Sequence, residues 1–130
     1  MPFIKIFIDK SISKDTKETI SNSIHLALVE CFNIPLKDKF QVFIEVDKDN
    51  MIFPDEYLAC KYSNILFINI FCKNGRTKEQ KKCLYKNIAD KILQNSSIKK
   101  DDIFITIIEN SEDNWSFGNG IAQLMELSYE

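Results

Sequence analysis

A proline directly behind the initiator methionine, in Met1-Pro2-Phe3-Ile4, is the first place in this chain where chemistry could be built. Two readings compete. In one, Pro2 is merely tolerated, because the first residue of a strand is where a missing N–H matters least. In the other, Met1 is removed, as it commonly is before a small residue, and the chain begins with a secondary amine. Set among Phe3 and Ile4, that amine would lose water. Desolvation disfavours the ammonium and pulls its pKa from an α-amino reference of roughly 7.7–8.0 toward working pH. An amine so poised shuttles protons. Retention of Met1 would leave the Pro2 nitrogen a tertiary amide with no basicity. Asp38 precedes one apolar run, and Lys73 and Arg76 follow another. An amine, a carboxylate and a guanidinium are the parts of an acid–base site for a small keto or enol acid, provided the fold gathers them.

The elements that must do so are marked by periodicity. Residues 2–8 alternate strand formers and give the first strand. A polar connection over 11–15 leads into a helix, with Asp15 and Glu18 suiting its start. That helix runs to about Phe32, with Ile20, Ile24, Ala27, Leu28 and Cys31 on one face. Asn33-Ile34-Pro35 ends it, since the residue before proline avoids helical backbone. Residues 40–46 form the second strand, 47–50 a charged turn, and 51–62 an irregular stretch in which Pro54 opposes a long strand. Residues 64–72 form the third strand, so continuously apolar that burial on both faces is expected. Thr77-x-x-Gln80 reads as a capping box for a second helix, with Leu84, Ile88 and Ile92 inward and Asn95-Ser96-Ser97 at its end. Residues 102–109 are the fourth strand. Trp115 and Phe117 beside Gly118 and Gly120 suggest a turn that presents side chains, and 121–129 is apolar enough to pack on something.

An internal repeat organises these elements. Residues 33–45 laid over 97–109 match at Ile34/Ile98, Asp38/Asp102, Phe40/Phe104, Ile44/Ile108 and Glu45/Glu109. The same displacement sets Ile4 on Ile68, Ile6 on Ile70 and Phe7 on Phe71. A shortened strand-to-helix loop then aligns Thr16-Lys17-Glu18 with Thr77-Lys78-Glu79. The chain is therefore expected to be a single α/β domain of two tandem β-α-β units, about 2–62 and 63–130. Right-handed crossovers and one four-stranded sheet with both helices on one face bury both helical stripes. Parallel first and second strands put Pro2 and Asp38 at one sheet edge. An antiparallel junction between the units would deliver Lys73 and Arg76 to that edge, at a helix N-terminus suited to a carboxylate. The alternatives are that Asp38 is only a turn residue and Arg76 a solvated loop charge. The second sheet face has no helix to cover it, which points to a homo-oligomer.

The chain has 130 residues and a net charge of −2, with lysines and acids intermixed, which argues against nucleic-acid and anionic-membrane partners. No apolar run approaches the ~20 residues of a membrane span, and no signal-peptide pattern opens the sequence. Cys31, Cys60, Cys72 and Cys83 lack CxxC spacing and read as buried free thiols of a reducing cytosol. A cytoplasmic protein without a metal site is expected. His25, mid-helix, reads as a packing or surface residue. Phe53, Tyr57 and Tyr62 suit either a pocket or an edge contact. Glu45 and Glu109 occupy equivalent repeat positions and suggest a shared structural role.

Taken together, several segments resemble the tautomerase superfamily, and within it the malonate semialdehyde decarboxylase-like subgroup with its related bacterial proteins. They are Pro2 behind Met1, Phe32-Asn33-Ile34-Pro35 with Asp38 and Gln41, Gly75-Arg76-Thr77-Lys78-Glu79-Gln80-Lys81, and Glu109-Asn110 followed by Asn114-Trp115-Ser116-Phe117-Gly118-Asn119-Gly120. The resemblance spans essentially the whole chain. It implies a β-α-β-β-α-β protomer, a homotrimer, no cofactor, and Pro2 as catalytic acid or base. It implies that Asp38 positions or activates water, that Arg76 binds the substrate carboxylate, and that Trp115, Phe117 and Leu124 wall the proline. The subgroup's other substrate-binding arginine is replaced by Asn74, with Lys73 beside it, and lysine lacks arginine's bidentate fork. The expected reaction is keto–enol tautomerisation of a small 2-keto/enol acid, with Gln41 assisting Asp38. Hydration or decarboxylation of a 3-oxo acid, a non-catalytic oligomeric binding protein and a ferredoxin-like small-molecule sensor are the alternatives.

Overall fold

The computed structural model describes residues 2–126. Met1, whose removal the sequence reading calls for, and the end of the apolar segment 121–129 lie outside them. The described chain forms β1 (Phe3–Asp9), α1 (Lys14–Phe32), β2 (Phe40–Val46), a small hairpin of β3 (Glu56–Tyr57) and β4 (Cys60–Lys61), β5 (Leu66–Lys73), α2 (Lys78–Asn95) and β6 (Ile103–Asn110). The main sheet has the order β2-β1-β5-β6. β1 runs parallel to β2 and β5 parallel to β6, while β1 and β5 meet antiparallel with Phe3 opposite Phe71 and Phe7 opposite Phe67. The two β-α-β units are thus related by an internal two-fold passing between Lys5 and Asn69.

Each helix begins where a side-chain oxygen satisfies its free N–H groups. Ser13 Oγ accepts from the Thr16 N–H at 3.1 Å, and Thr77 and Gln80 close a reciprocal capping box. Asn33 ends α1 with φ 55°, a left-handed conformation asparagine tolerates. These caps correct the expected alignment of the repeat. Ser13, not Thr16, is the counterpart of Thr77, and no loop shortening occurs. The Thr16 match was misleading because Thr16 itself receives a hydrogen bond from Ser13 Oγ. The Lys17–Glu45 and Lys81–Glu109 ion pairs, each 28 residues apart in sequence, repeat the same tie from helix to strand.

Both helices pack on one sheet face. Ile4, Ile6, Ile8, Ile68 and Ile70 meet Ile20, Ile24, Leu28, Leu84, Ile88 and Ile92, all essentially without solvent exposure. Each such side chain contributes roughly 1.5–3 kcal/mol of apolar burial. His25 is buried, and its Nε2–H donates to the Leu36 carbonyl at 2.6 Å, so it acts as a packing residue that anchors the loop after α1.

Three expectations need correction. β5 is not buried on both faces: Leu66, Ile68, Ile70 and Cys72 are buried, but Phe67, Asn69, Phe71 and Lys73 are only half-buried on the helix-free face. Its unbroken apolar run reflects an aromatic outer face, not a second helical layer. Residues 51–62 are not wholly irregular, since Leu58 and Ala59 turn the hairpin with φ 46° and 68° despite carrying neither glycine nor asparagine. Cys31 and Cys83 are not free thiols but a disulfide joining α1 to α2, with Cα atoms 5.8 Å apart. Helix packing set this pairing, which sequence spacing alone does not display. Cys60 and Cys72 are free.

Candidate active site

The sheet register defines the corner where β1 begins. Phe3 faces Phe71 on β5 and Phe40 on β2, so one step earlier Pro2 stands beside Cys72 and Lys39. Pro2 is buried, and the alternation Pro2, Ile4, Ile6 puts it on the helix side of the sheet. Cys72 is 1% exposed, and burial pushes its thiol pKa up, with Glu109 adding to the rise against the pull of Arg76 and Lys81. A neutral thiol therefore borders Pro2 at neutral pH.

Arg76 follows β5 and immediately precedes the capped start of α2. Its Nη1 donates to the Lys73 carbonyl at 3.0 Å, and its guanidinium carbon lies 4.9 Å from the centre of the Phe32 ring. Phe32 is buried in the last turn of α1, so a rigid apolar surface supports one face of the cation. Gly75 makes the preceding turn with φ 116°. The free N–H groups of α2 and the guanidinium fork together suit an incoming carboxylate.

Asp38 is half-buried in the turn before β2, and its N–H donates to the Pro35 carbonyl at 3.0 Å. It shares the Pro2 end of the sheet because the parallel register begins at Phe3 and Phe40. Gln41 is on β2, but both ends of its amide are engaged by Ser21: the Oε1 accepts from Ser21 Oγ at 2.6 Å, and Nε2 donates to Ser21 O at 3.1 Å. Gln41 thus ties β2 to α1.

Lys73 closes β5, and its ammonium pairs with Glu112 at 3.4 Å. The Asn74 N–H donates to the Asn110 carbonyl at 2.7 Å, leaving its exposed side chain at the rim. Lys73, Asn74, Ser111, Glu112, Asp113 and Met125 line a cleft of about 500 Å³. Trp115 is anchored beside it, with Nε1–H donating to Asn110 Oδ1 at 2.7 Å. The Trp115 and Phe117 rings stack with centroids 5.5 Å apart. Gln123 holds this turn by accepting from the Phe117 N–H and donating to the Gly118 carbonyl, and half-buried Leu124 follows it. A second, apolar cleft of about 290 Å³ is lined by Phe53, Tyr57, Tyr62 and Phe104 among others.

Sequence reasoning did not single out Phe32 as the seat of Arg76, Glu112 as the partner of Lys73, or Cys72 as the neighbour of Pro2. Phe32 lay within a recognisable segment, and Cys72 could have been placed from an antiparallel register. Nothing local marks Glu112, which lies just past β6 and meets Lys73 at the end of β5.

A fold of two β-α-β units meeting antiparallel in one four-stranded sheet defines a class of proteins, and the comparisons agree with it. A family model described as tautomerase enzyme matches residues 38–118, and a second of the same description matches 2–61. The chain is 35% identical to the probable tautomerase YusQ of Bacillus subtilis, over 97% of this chain and 100% of that protein. It is 26% identical to the probable tautomerase YrdN of the same organism, over 96% and 97%. Among solved structures, FG41 malonate semialdehyde decarboxylase inhibited by 3-bromopropiolate superposes with a TM-score of 0.90 at 31% identity, over 97% and 96% of the two chains. The symmetric trimer of fused 4-OT shares the fold alone, with a TM-score of 0.77 at 15% identity over 95% and 98%. This chain belongs to the tautomerase enzymes, a family of isomerases.

Proposed function

We propose that the chain, once Met1 is removed, catalyses keto–enol tautomerisation of a small 2-keto/enol acid with the Pro2 nitrogen as proton carrier. The observation that supports this reading is the burial of Pro2 at the start of β1, beside the end of β5 from which the chain leads to Arg76. Arg76 binds the substrate carboxylate. The Pro2 nitrogen, neutral when desolvated, takes the proton from the enol hydroxyl as the carbonyl forms. The resulting ammonium then protonates the carbon released by the collapsing double bond, and the nitrogen is neutral again. Asp38 orients the substrate or a water, while Trp115, Phe117 and Leu124 exclude solvent.

The polar end of the site supports a substrate with one carboxylate. Asn74 is neutral and Lys73 is engaged by Glu112, so Arg76 supplies the cation. Asn74 can donate to a keto oxygen. The test is removal of Met1 confirmed by intact mass, followed by Pro2→Ala. A loss of roughly 10²–10⁴-fold in enol-acid tautomerase activity is expected. Wild-type activity in Pro2→Ala would overturn the proposal.

A second reading is favoured by the likeness to FG41 malonate semialdehyde decarboxylase. If Asp38 keeps the Pro2 amine protonated, the amine becomes an acid and supports hydration or decarboxylation of a 3-oxo acid. Titration of the amine nitrogen by NMR separates the two: a pKa below 7 makes it a base, one well above 8 an acid. The same proposal includes a cytoplasmic homotrimer formed through the helix-free face, where Phe40, Val42, Phe104 and Ile108 are 37–51% exposed. Sedimentation of wild type beside Phe104→Glu tests it, with a trimer and a smaller species expected respectively.

A further inference from the structure

Cys31 lies in the last turn of α1 and Cys83 in the second turn of α2, and their bond closes a separation of 52 residues. Its surroundings suit more than a fixed staple. Cys31 is buried whereas Cys83 is exposed, so an incoming thiol or disulfide reaches one sulfur and not the other. Both helices cover the sheet face opposite the exposed apolar strands, so association through those strands leaves Cys83 open. Asn87 Nδ2 lies 3.2 Å from Cys31 Sγ and 3.3 Å from Cys83 Sγ. An N–H donor beside both sulfurs stabilises the thiolate on whichever one departs, and a more stable thiolate leaves faster.

The bond also adjoins the carboxylate seat. The Cys31 carbonyl accepts from Gln80 Nε2 at 3.5 Å, and Gln80 closes the capping box at Thr77. The next residue, Phe32, supports the Arg76 guanidinium. Cys31–Cys83 thus fastens together the two elements between which Arg76 is held.

We propose that Cys31 and Cys83 form a reversible dithiol–disulfide modification site, operated by low-molecular-weight thiols and disulfides, that sets how firmly Arg76 is seated. In the oxidising direction the Cys83 thiolate attacks a small disulfide, forms a mixed disulfide and expels one small thiolate. The Cys31 thiolate then attacks the Cys83 sulfur, closes the protein bond and expels the second. Two electrons pass from the cysteine pair to the small disulfide, and the two cysteine protons end on the two small thiols. Reduction retraces these steps, with the first attack at exposed Cys83 and Cys31 leaving as thiolate beside Asn87.

The site is tested by alkylating the folded protein with iodoacetamide before and after dithiothreitol, then mapping peptides. Cys31 and Cys83 should be linked before treatment, after it Cys83 should be labelled without denaturant while buried Cys31 and Cys72 stay unlabelled, and oxidised glutathione should relink the pair. A pair that never links in oxidised glutathione, or that opens only in denaturant, overturns the proposal. Coupling to the seat is read from the Arg76 Nε–H NMR signal, which needs no turnover and so stands apart from the proposed reaction. That signal should shift on reduction, and Cys83→Ser should reproduce the reduced position. An Arg76 signal identical in both redox states overturns the coupling.

Discussion

The Arg76 guanidinium carbon lies 4.9 Å from the centre of the Phe32 ring, so the last turn of α1 supports the cation that precedes α2. Ring and cation belong to different elements, and neither element alone fixes the seat. Phe32→Leu keeps an apolar side chain but removes the π face. A cation–π contact contributes about 0.5–1 kcal/mol, so KM for a carboxylate substrate should rise roughly two- to fivefold with little change in kcat. Arg76→Lys loses the fork as well, and kcat/KM should fall roughly ten- to a hundredfold. Steady-state kinetics on both variants measure the two effects.

Glu112 controls the charge at the rim. Its ion pair with Lys73 spans 3.4 Å and is partly exposed, so it contributes at most about 1 kcal/mol to stability. Glu112→Gln should therefore leave the melting temperature nearly unchanged. It releases the Lys73 ammonium toward the cleft, and inhibition by a dicarboxylate should strengthen several-fold over that by a monocarboxylate. Equal strengthening for both would show that Lys73 does not reach the second carboxylate.

Asp38 and Asp102 are counterparts in the internal repeat and should behave oppositely. Asp102 is buried and accepts from the Ser63 N–H at 2.8 Å and the Ser63 hydroxyl at 3.1 Å. Asp102→Ala leaves both donors without that acceptor, and urea unfolding should show a loss of about 1–3 kcal/mol with activity per folded molecule unchanged. Asp38→Asn should reduce turnover roughly tenfold or more.

Cys72 gives the fold a dependence on alkaline pH. Burial raises its pKa above the ordinary 9.0, so between the unfolded and folded values the native state holds a proton that the unfolded state has lost. Stability from this group is complete below pH 9.0 and is lost as pH rises through the folded pKa. Cys72→Val should flatten the decline in urea midpoint between pH 8 and pH 10.

Periodicity made the four long strands and two helices legible, because Ile4, Ile6 and Ile8 alternate and Leu84, Ile88 and Ile92 recur at helical spacing. The corner was legible from topology: Pro2, Asp38 and Arg76 follow from where parallel and antiparallel strands must start and end. Contacts decided by packing were not. The Cys31–Cys83 bond depends on how two helices lie against each other, and the Lys73–Glu112 pair on the turn after β6 meeting the end of β5. The hairpin at Leu58 and Ala59 escaped because its left-handed turn uses residues that ordinarily avoid that conformation. The aromatic side of β5 was mistaken for one under helices because an apolar outer face and a face under helices have the same composition.

The two-fold between Lys5 and Asn69 makes the molecule nearly symmetric, yet on the proposed chemistry, with Met1 removed, its two corners are unequal. Where the first unit opens with Pro2, the second opens inside the chain at Leu66, whose nitrogen is an amide, and Ser63 occupies the counterpart aspartate. On that proposal the repeat doubles the scaffold without doubling the reagent. A mechanism-based inactivator that alkylates amines should saturate at one equivalent per chain, however symmetric the body that carries it.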